Sequence, residues 1–336
     1  MFRPDYRITE HFLGFVEKIA SISAKIEAKN LRFTLIAKLQ AEALERNAHS
    51  STSIEGNLLS LAQVSALNHN QDVFVDSKHK QEVLNYFKAL RWIIRNPNRR
   101  MIKDNLLKLH AIIVNGLLPQ EKVGKFKKRQ NFVIDGNKIV VYTPPAPKDC
   151  SRLISELLEW INRSSKVHPI ILSAIFHHQF VTVHPFSDGN GRLARAASQW
   201  LLYQRDFDHH HIFSLDDFYA QNRQKYYSKI QQARDLDYDF TYWIEYVAQG
   251  ILETLQNIYS RINKLVYSRG EKIVITPKQE EVINLLNMHG ALGSSELGRS
   301  LKINRSRVNQ LIVPLIEAGI VERQGKARAT KYYLGK

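Results

Sequence analysis

Apolar residues recur at steps of three and four positions through most of the first 268 residues of this 336-residue chain. Ile8, Phe12, Phe15, Ile19 and Ile22 follow this spacing, which places them on one face of a helix. The periodicity returns in 78–95, 104–117, 149–163, 170–182, 192–205, 216–234 and 239–268. Amphipathic helices need one another to cover their apolar faces, so the pattern predicts a mainly α fold.

One stretch, 124–147, departs from the helical spacing. It has β-branched and aromatic residues on both sides of Asp135-Gly136, a dipeptide that favours the tight turn of a β-hairpin. We therefore expect a single hairpin to project from the helical core.

The last 66 residues have a complete pattern of their own. Helices are expected over 278–288, after Ser294 and over 304–318, followed by short strands at 320–323 and 330–334. Three helices and a basic hairpin predict a winged helix-turn-helix domain over 271–336. Side chains suited to DNA lie on its recognition helix (Arg305, Arg307, Asn309) and on its wing (Lys326, Arg328).

Composition narrows the class of protein. The net charge of +16 favours polyanionic partners such as nucleotides or nucleic acid. The single cysteine, Cys150, excludes an intramolecular disulfide, and the sequence has no run of about 20 apolar residues that would predict a membrane span. These features predict a cytoplasmic protein with no membrane association.

Residues 184–195, HPFSDGNGRLAR, interrupt the helical pattern between two predicted helices. His184 precedes the second helix and is suited to accept a hydroxyl proton near neutral pH. Asp188 offers hard oxygen ligands to Mg²⁺, or to Mn²⁺, an ion that proteins usually hold together with phosphate oxygens. A base and a metal carboxylate thus lie four residues apart.

The remainder of the segment is suited to phosphate. Gly189, Asn190 and Gly191 allow the backbone to approach an anion closely, and the following helix directs its free N–H groups there. Arg192 and Arg195 share one face of the first helical turn and can neutralise further phosphate charge. The segment therefore predicts phosphate binding.

The same twelve residues resemble the signature of the Fic family, His-x-Phe-x-Asp/Glu-Gly-Asn-Gly-Arg-x-x-Arg, with every fixed position filled. This resemblance implies a helical Fic core over 61–268, with the hairpin as a flap that aligns a target protein. It also implies ATP as substrate and the transfer of AMP to a Ser, Thr or Tyr hydroxyl of a protein, the chain itself included. By this likeness His184 is the base, Asp188 the metal ligand and 189–192 the phosphate cradle.

Residues 51–56, STSIEG, are similar to the inhibitory motif of many Fic proteins, Ser/Thr-x-x-x-Glu-Gly/Asn. Ser51 and Glu55 would share a helix face, and Gly56 is suited to end that helix. The resemblance implies that Glu55 pairs with Arg195 and holds the enzyme inactive. Residues 1–60 are therefore assigned to a helical region that inhibits the core in cis.

Two further residues, Asn222 and Tyr227, resemble positions that lie near the nucleotide base in the family. A single winged helix usually binds paired half-sites, so a homodimer on DNA is a further expectation. Two other readings stay open at this point. In the first, the chain is a transcription regulator whose core only senses nucleotide. In the second, it is a Fic enzyme that uses another donor or removes AMP.

Overall fold

The computed structural model describes residues 1–29, 31, 33–134, 137, 139–207, 210–267, 275–325 and 330–335. Its elements, in chain order, are α1 (Glu10–Glu27), α2 (Phe33–Ile54), α3 (Leu61–Asn68), α4 (Ser77–Arg95), α5 (Lys103–Ile113), β1 (Val133–Ile134), β2 (Val140–Tyr142), α6 (Pro147–Arg163), α7 (Pro169–Val183), α8 (Asn190–Gln204), α9 (Leu215–Gln221), α10 (Arg223–Asp235), α11 (Thr241–Tyr267), α12 (Pro277–His289), α13 (Ser294–Leu301), α14 (Arg305–Glu317), β3 (Val321–Gln324) and β4 (Lys331–Leu334). The predicted mainly α fold is confirmed. Within the described residues, no helix combines the length and the apolar character needed to cross a membrane.

Helices α7 and α8 lie at the centre of the larger core and pack against each other. Almost every side chain of α7 after Pro169 is buried, because the helix is covered on all sides by α6, α8 and α11. The short loop between α7 and α8 is bounded by two residues with left-handed backbone, His184 (φ 49°) and Gly189 (φ 79°). The candidate site lies on this loop.

Helices α1 and α2 belong to the same core. Phe12 and Ile19 of α1 and Leu44 and Ile54 of α2 are buried in the apolar cluster that extends to Ile262 of α11. The boundary proposed at residue 60 therefore does not separate two hydrophobic cores.

The hairpin between α5 and α6 pairs β1 with β2 in antiparallel register, Val133 opposite Tyr142. The expected turn residues Asp135 and Gly136 lie outside the described residues. The small hairpin itself agrees with the sequence prediction.

Helices α12–α14 and the antiparallel pair β3–β4 form a second apolar cluster. Ala37 of α2 is a member of this cluster, with Phe33 and Ala41 packed beside it. Asn287 Nδ2 of α12 also donates to Gln40 Oε1 (2.6 Å). The C-terminal unit is thus closed on one side by α2, while its assignment as a winged helix-turn-helix domain stays a prediction.

Candidate active site

His184 follows the last residue of α7 and is half-buried. Its Nδ1 lies 3.2 Å from the Val181 carbonyl oxygen. A carbonyl can only accept a hydrogen bond, so Nδ1 carries the ring proton and Nε2 keeps a free lone pair. Burial lowers the pKa of His184 to about 4, although the bond to Val181 acts in the opposite direction. The ring is therefore a neutral acceptor at physiological pH.

A second histidine, His110 of α5, contacts the loop between α7 and α8. Its ring stacks on Phe186 with centroids 3.7 Å apart and an angle of 9°. His110 Nδ1 accepts from the Gly124 N–H (3.0 Å), so Nε2 donates to the Asp188 carbonyl oxygen (3.1 Å). Burial lowers the pKa of His110 to about 4, which keeps this arrangement neutral. Sequence reasoning missed His110 because no local motif accompanies it.

The side chain of Asn190 closes the loop on itself. Its Oδ1 accepts from the Phe186 N–H and its Nδ2 donates to the Phe186 carbonyl oxygen, both at 2.9 Å. Asn190 is also the first residue of α8, so its backbone N–H is among the free donors at that helix end. Any contact of Asn190 with a phosphate would therefore come from its backbone.

The two glycines of the cradle are required by space. A Cβ on Gly189, which has positive φ, would lie 2.8 Å from Val114 Cγ1. A Cβ on Gly191 would collide with Glu55 Oε1. The backbone of Gly191 is thus open enough for an anion, and in this structure the anion is the Glu55 carboxylate.

Asp188 lies at the rim of the cradle with its side chain 55% exposed. Its Oδ1 accepts from the Gly189 N–H (2.5 Å) and from Arg192 Nη2 (3.3 Å). These contacts fix the direction of the carboxylate while leaving it accessible to solvent. The residue fits a ligand of Mg²⁺ that shares the ion with phosphate oxygens.

Arg192 is buried and contacts Glu82 Oε1 at 3.5 Å, and Glu82 is held in turn by Asn57 Nδ2 (2.8 Å). Within the described part of the chain, Arg192 Nε and Nη1 make no hydrogen bond. Buried guanidinium donors normally have partners. Among the described residues, Nη1 has only the 3.5 Å ionic contact with Glu82 and Nε has no partner, which fits a residue that binds phosphate.

Arg195 is the most completely enclosed charge of the site, its side chain 1% exposed. Nη2 donates to Glu55 Oε1 (2.7 Å) and to the Ser51 carbonyl oxygen (2.8 Å), and Nε donates to Ser51 Oγ (2.8 Å). Burial alone would lower the Arg195 pKa, but Glu55 and the other acids and phenols around it raise that pKa above its usual value. Ser51 and Glu55 therefore face Arg195 from the end of α2, and Gly56 follows with φ 93°.

Behind Arg195 lies a buried polar network that the sequence did not predict. Tyr226 accepts from Arg195 Nη1 (3.5 Å) and its hydroxyl lies 2.8 Å from His177 Nε2. Asp216 of α9 accepts from the Tyr86 hydroxyl (2.9 Å). These groups come from α4, α7, α9 and α10, so only the tertiary fold brings them together.

Asn222 and Tyr227 lie beside the site in different ways. The expected helix over 216–234 is broken at Asn222, whose Oδ1 accepts from the Lys225 N–H (2.9 Å) and caps α10. The prediction of one continuous helix was wrong, because an asparagine side chain competes for backbone donors. The Tyr227 hydroxyl donates to the Ile54 carbonyl oxygen (3.4 Å), so this ring covers the end of α2.

The flap is joined to the loop by two residues that precede β1. The Lys127 N–H donates to the Pro185 carbonyl oxygen (2.8 Å), and Asn131 Nδ2 donates to the Phe186 carbonyl oxygen (2.9 Å). Lys127 Nζ also donates to Asn131 Oδ1 (2.6 Å). Large apolar side chains on the flap are exposed: Phe132, Ile134, Ile139, Val140 and Val141.

On the C-terminal unit, Arg305, Arg307 and Asn309 are exposed along α14. Arg307 Nη1 donates to Gln310 Oε1 (2.9 Å), an exposed contact that costs little to break. Lys326 and Arg328 lie outside the described residues.

The chain is similar in sequence to known Fic proteins. Residues 101–202 match the model of the Fic/DOC family. The chain is 32% identical over 210 residues to "Protein adenylyltransferase Fic" of Culex quinquefasciatus, covering 60% of this chain and 39% of that protein. It is 27% identical over 306 residues to the protein of the same name in Drosophila virilis, covering 89% of this chain and 59% of that protein. The chain thus spans less than two thirds of either relative.

Two solved structures share the fold. A Fic family protein from Desulfovibrio desulfuricans superposes with a TM-score of 0.70 at 23% identity, covering 99% of this chain and 98% of that one. Fic-1 from C. elegans gives a TM-score of 0.61 at 24% identity, covering 75% of this chain and 73% of that one. The first likeness extends over the C-terminal unit as well as the larger core.

Proposed function

Because this chain contains a Fic/DOC-family domain, we propose that it transfers AMP from Mg-ATP to a Ser, Thr or Tyr hydroxyl of a protein. The observation that carries the proposal is the neutral His184 ring, whose Nε2 lone pair is free beside the glycine cradle at the start of α8. The relatives named protein adenylyltransferase support the same reaction.

In the proposed reaction, His184 Nε2 accepts the proton of the target hydroxyl as its oxygen attacks the α-phosphorus of ATP. The bond from the α-phosphorus to the bridging oxygen breaks and pyrophosphate leaves. The N–H groups at the start of α8 and the guanidinium groups of Arg192 and Arg195 bind the phosphate oxygens and stabilise their charge. Asp188 would hold Mg²⁺ or Mn²⁺, which supplies further neutralisation of the phosphates when bound.

We further propose that the state described here is self-inhibited. The Glu55 carboxylate lies against Gly191 and is bonded to Arg195. It therefore occupies the space of a phosphate and engages the guanidinium group that would bind that phosphate. A bound phosphate in that position would also meet a like charge at short range. Glu55 must therefore withdraw before ATP binds productively.

The protein target is proposed to bind along the flap. Exposed apolar side chains and the open edge of a short hairpin suit the addition of an extended segment as a further strand. Attachment of the flap to Pro185 and Phe186 would place the target hydroxyl next to His184.

The test is mass spectrometry of Glu55→Gly protein incubated with Mg-ATP. We expect a mass gain of one AMP that exceeds wild type and disappears when His184→Ala is added. Glu45→Ala is the matched control, because Glu45 lies on the same helix but accepts from Asn68 Nδ2 (2.9 Å) instead of from Arg195. Equal incorporation by Glu55→Gly and wild type would reject self-inhibition. Incorporation from another nucleotide but not from ATP would move the proposal to another donor, and nucleotide binding without any incorporation would favour a sensor.

A second proposed activity, DNA binding, rests on the exposed Arg305, Arg307 and Asn309 of α14. The expected result is a gel shift with DNA from upstream of its own gene that weakens steeply with salt, since phosphate contacts release counterions. Two copies bound per site would support a dimer. Absence of a shift at low salt would exclude this activity.

A further inference from the structure

Two carboxylates lie close to the buried Arg195 guanidinium, and they differ in their access to solvent. Glu55 is bonded to it directly and its side chain is 31% exposed. Asp216 is buried, with 3% of its surface exposed, and accepts from the Tyr86 hydroxyl (2.9 Å). Asp216 lies on α9, which packs against α2, and it interacts with the Ser51 hydroxyl, which accepts from Arg195 Nε (2.8 Å).

Removing Glu55 would leave Arg195 with no directly bonded anion. A buried charge without compensation is strongly destabilising. The site therefore needs another source of negative charge after Glu55 has left and before a phosphate binds. Burial raises the pKa of Asp216, and the charge of Arg195 acts in the opposite direction and favours the carboxylate. The influence is mutual, because Asp216 is among the groups that raise the pKa of Arg195.

We propose that Asp216 is the resident counter-ion of Arg195, which keeps the guanidinium charged and in place after Glu55 has left and before a phosphate arrives. Asp216 is in this view a positioning residue that acts through Ser51 and Arg195. The reference to phosphate rests on the proposed function, whereas the pairing with Arg195 does not.

The neighbouring residue, Asp217, offers a matched comparison. It has the same side chain on the same helix and is also bonded to α2, but its partners are the Ser50 hydroxyl (2.8 Å) and Arg46 (3.4 Å). Asp217 is thus bonded to α2 and not directly to Arg195 or Ser51, so we expect loss of its charge to affect mainly the attachment of α2.

The test is a double-mutant cycle on the thermal unfolding of the full chain, with Glu55→Gly, Asp216→Asn and their combination. We expect the double variant to lose about 5 °C or more in Tm beyond the sum of the single losses, because only then has Arg195 lost both carboxylates. The parallel cycle with Asp217→Asn should be additive. An additive Asp216 cycle would overturn the proposal.

A third substitution shows whether the excess loss comes from the charge. Arg195→Met in the double variant removes the uncompensated cation, so the excess loss of Tm should disappear. If the double variant does not fold, recovery of soluble, cooperatively unfolding protein with Arg195→Met is the readout. A triple variant that remains unfolded would count against a counter-ion role.

Ligand binding separates this inference from the proposed function. Mg-ATP brings a new anion to Arg195 and should raise the Tm of the Asp216→Asn, Glu55→Gly variant more than that of the matched Asp217→Asn, Glu55→Gly variant, whereas AMP should not. A non-additive cycle without this difference would retain Asp216 as counter-ion and reject the assignment of Arg195 to the ATP phosphates.

Discussion

The hydrogen bond from His184 to Val181 sets the tautomer of the ring, and burial sets its charge. Both effects leave Nε2 as an acceptor, on a residue whose left-handed backbone ends α7. The lowered pKa has a direct consequence for the dependence of activity on pH.

For the Glu55→Gly enzyme we expect kcat/KM to be flat from about pH 6 to 8 and to fall only as the pH approaches the His184 pKa, which is about 4 with Glu55 present and lower without its charge. The imidazole must be neutral to accept a proton, so activity is present above that pKa and is lost below it. Initial AMP-transfer rates across this range, with circular dichroism as a control for unfolding, measure the profile. An acid limb centred near 6.5 would show an unshifted histidine.

Folding stability should also depend on pH. His110 and His184 have folded pKa values of about 4, whereas an unfolded histidine titrates near 6.5. The unfolded chain therefore binds more protons between these values, and stability falls as the pH drops through that window. Circular dichroism over the same pH range therefore has to separate this loss of folding stability from a loss of catalytic activity.

Gly191 provides a test of the cradle that does not depend on Glu55. In the Glu55→Gly background, Gly191→Ala should weaken Mg-ATP binding by about tenfold or more, or about 1.4 kcal/mol, because the added methyl group occupies the space where a phosphate would lie. Isothermal titration calorimetry gives the affinity. Gly14→Ala is the control, since a Cβ there meets nothing within 4 Å. Unchanged affinity in Gly191→Ala would place the phosphates elsewhere.

Roles for residues 184–195 could be proposed from the sequence because they depend on local spacing. The pairing of Glu55 with Arg195 joins positions 140 apart and was reached only through the family resemblance. His110 and Asp216 could not be predicted, because their roles come from packing between distant helices. A lone histidine or aspartate in a helical pattern carries no signal of its contacts.

At the scale of elements, the flap and the loop form one connected structure. Asn131 links them through its bonds to Phe186 and Lys127. In the proposed function, the flap can position a target only while this link is maintained.

We expect Asn131→Ala to raise the KM for a protein target several-fold while leaving Mg-ATP affinity unchanged, since the cradle does not use this side chain. The measurement is AMP transfer to a fixed target peptide at varied concentration in the Glu55→Gly background. Lys128→Ala, an exposed neighbour, is the control. A matching loss of ATP affinity would mean that Asn131 supports the whole loop.

Most helix boundaries lie within two residues of the predicted ones, but α5 ends at Ile113 instead of 117, and the helix predicted over 216–234 is interrupted. The break at Asn222 left the apolar spacing intact on both sides, so the pattern predicted one helix where there are two. The docking of α2 on the C-terminal unit also had no signal, because Ala37 contributes too little to any pattern.

Across the whole molecule, α2 belongs to two apolar clusters. Its first half completes the core of the C-terminal unit through Ala37, and its second half is anchored in the larger core by Leu44, Ala48 and Ile54. Ser50 adds a hydrogen bond to Asp217 near the inhibitory end. Leu39, in the first half, also lies in the larger core, so α2 contacts that core along most of its length.

Ala37→Asp places a charge at a position that is 3% exposed, which should cost about 3–5 kcal/mol and destabilise the C-terminal unit or its contact with α2. Thermal unfolding should show a lower first transition than in Ala24→Asp, the same change at an exposed site on α1. AMP incorporation should stay at the wild-type level, because the anchors around Ala48 and Ile54 keep Glu55 on Arg195. Increased incorporation would instead show that the C-terminal unit controls inhibition through α2.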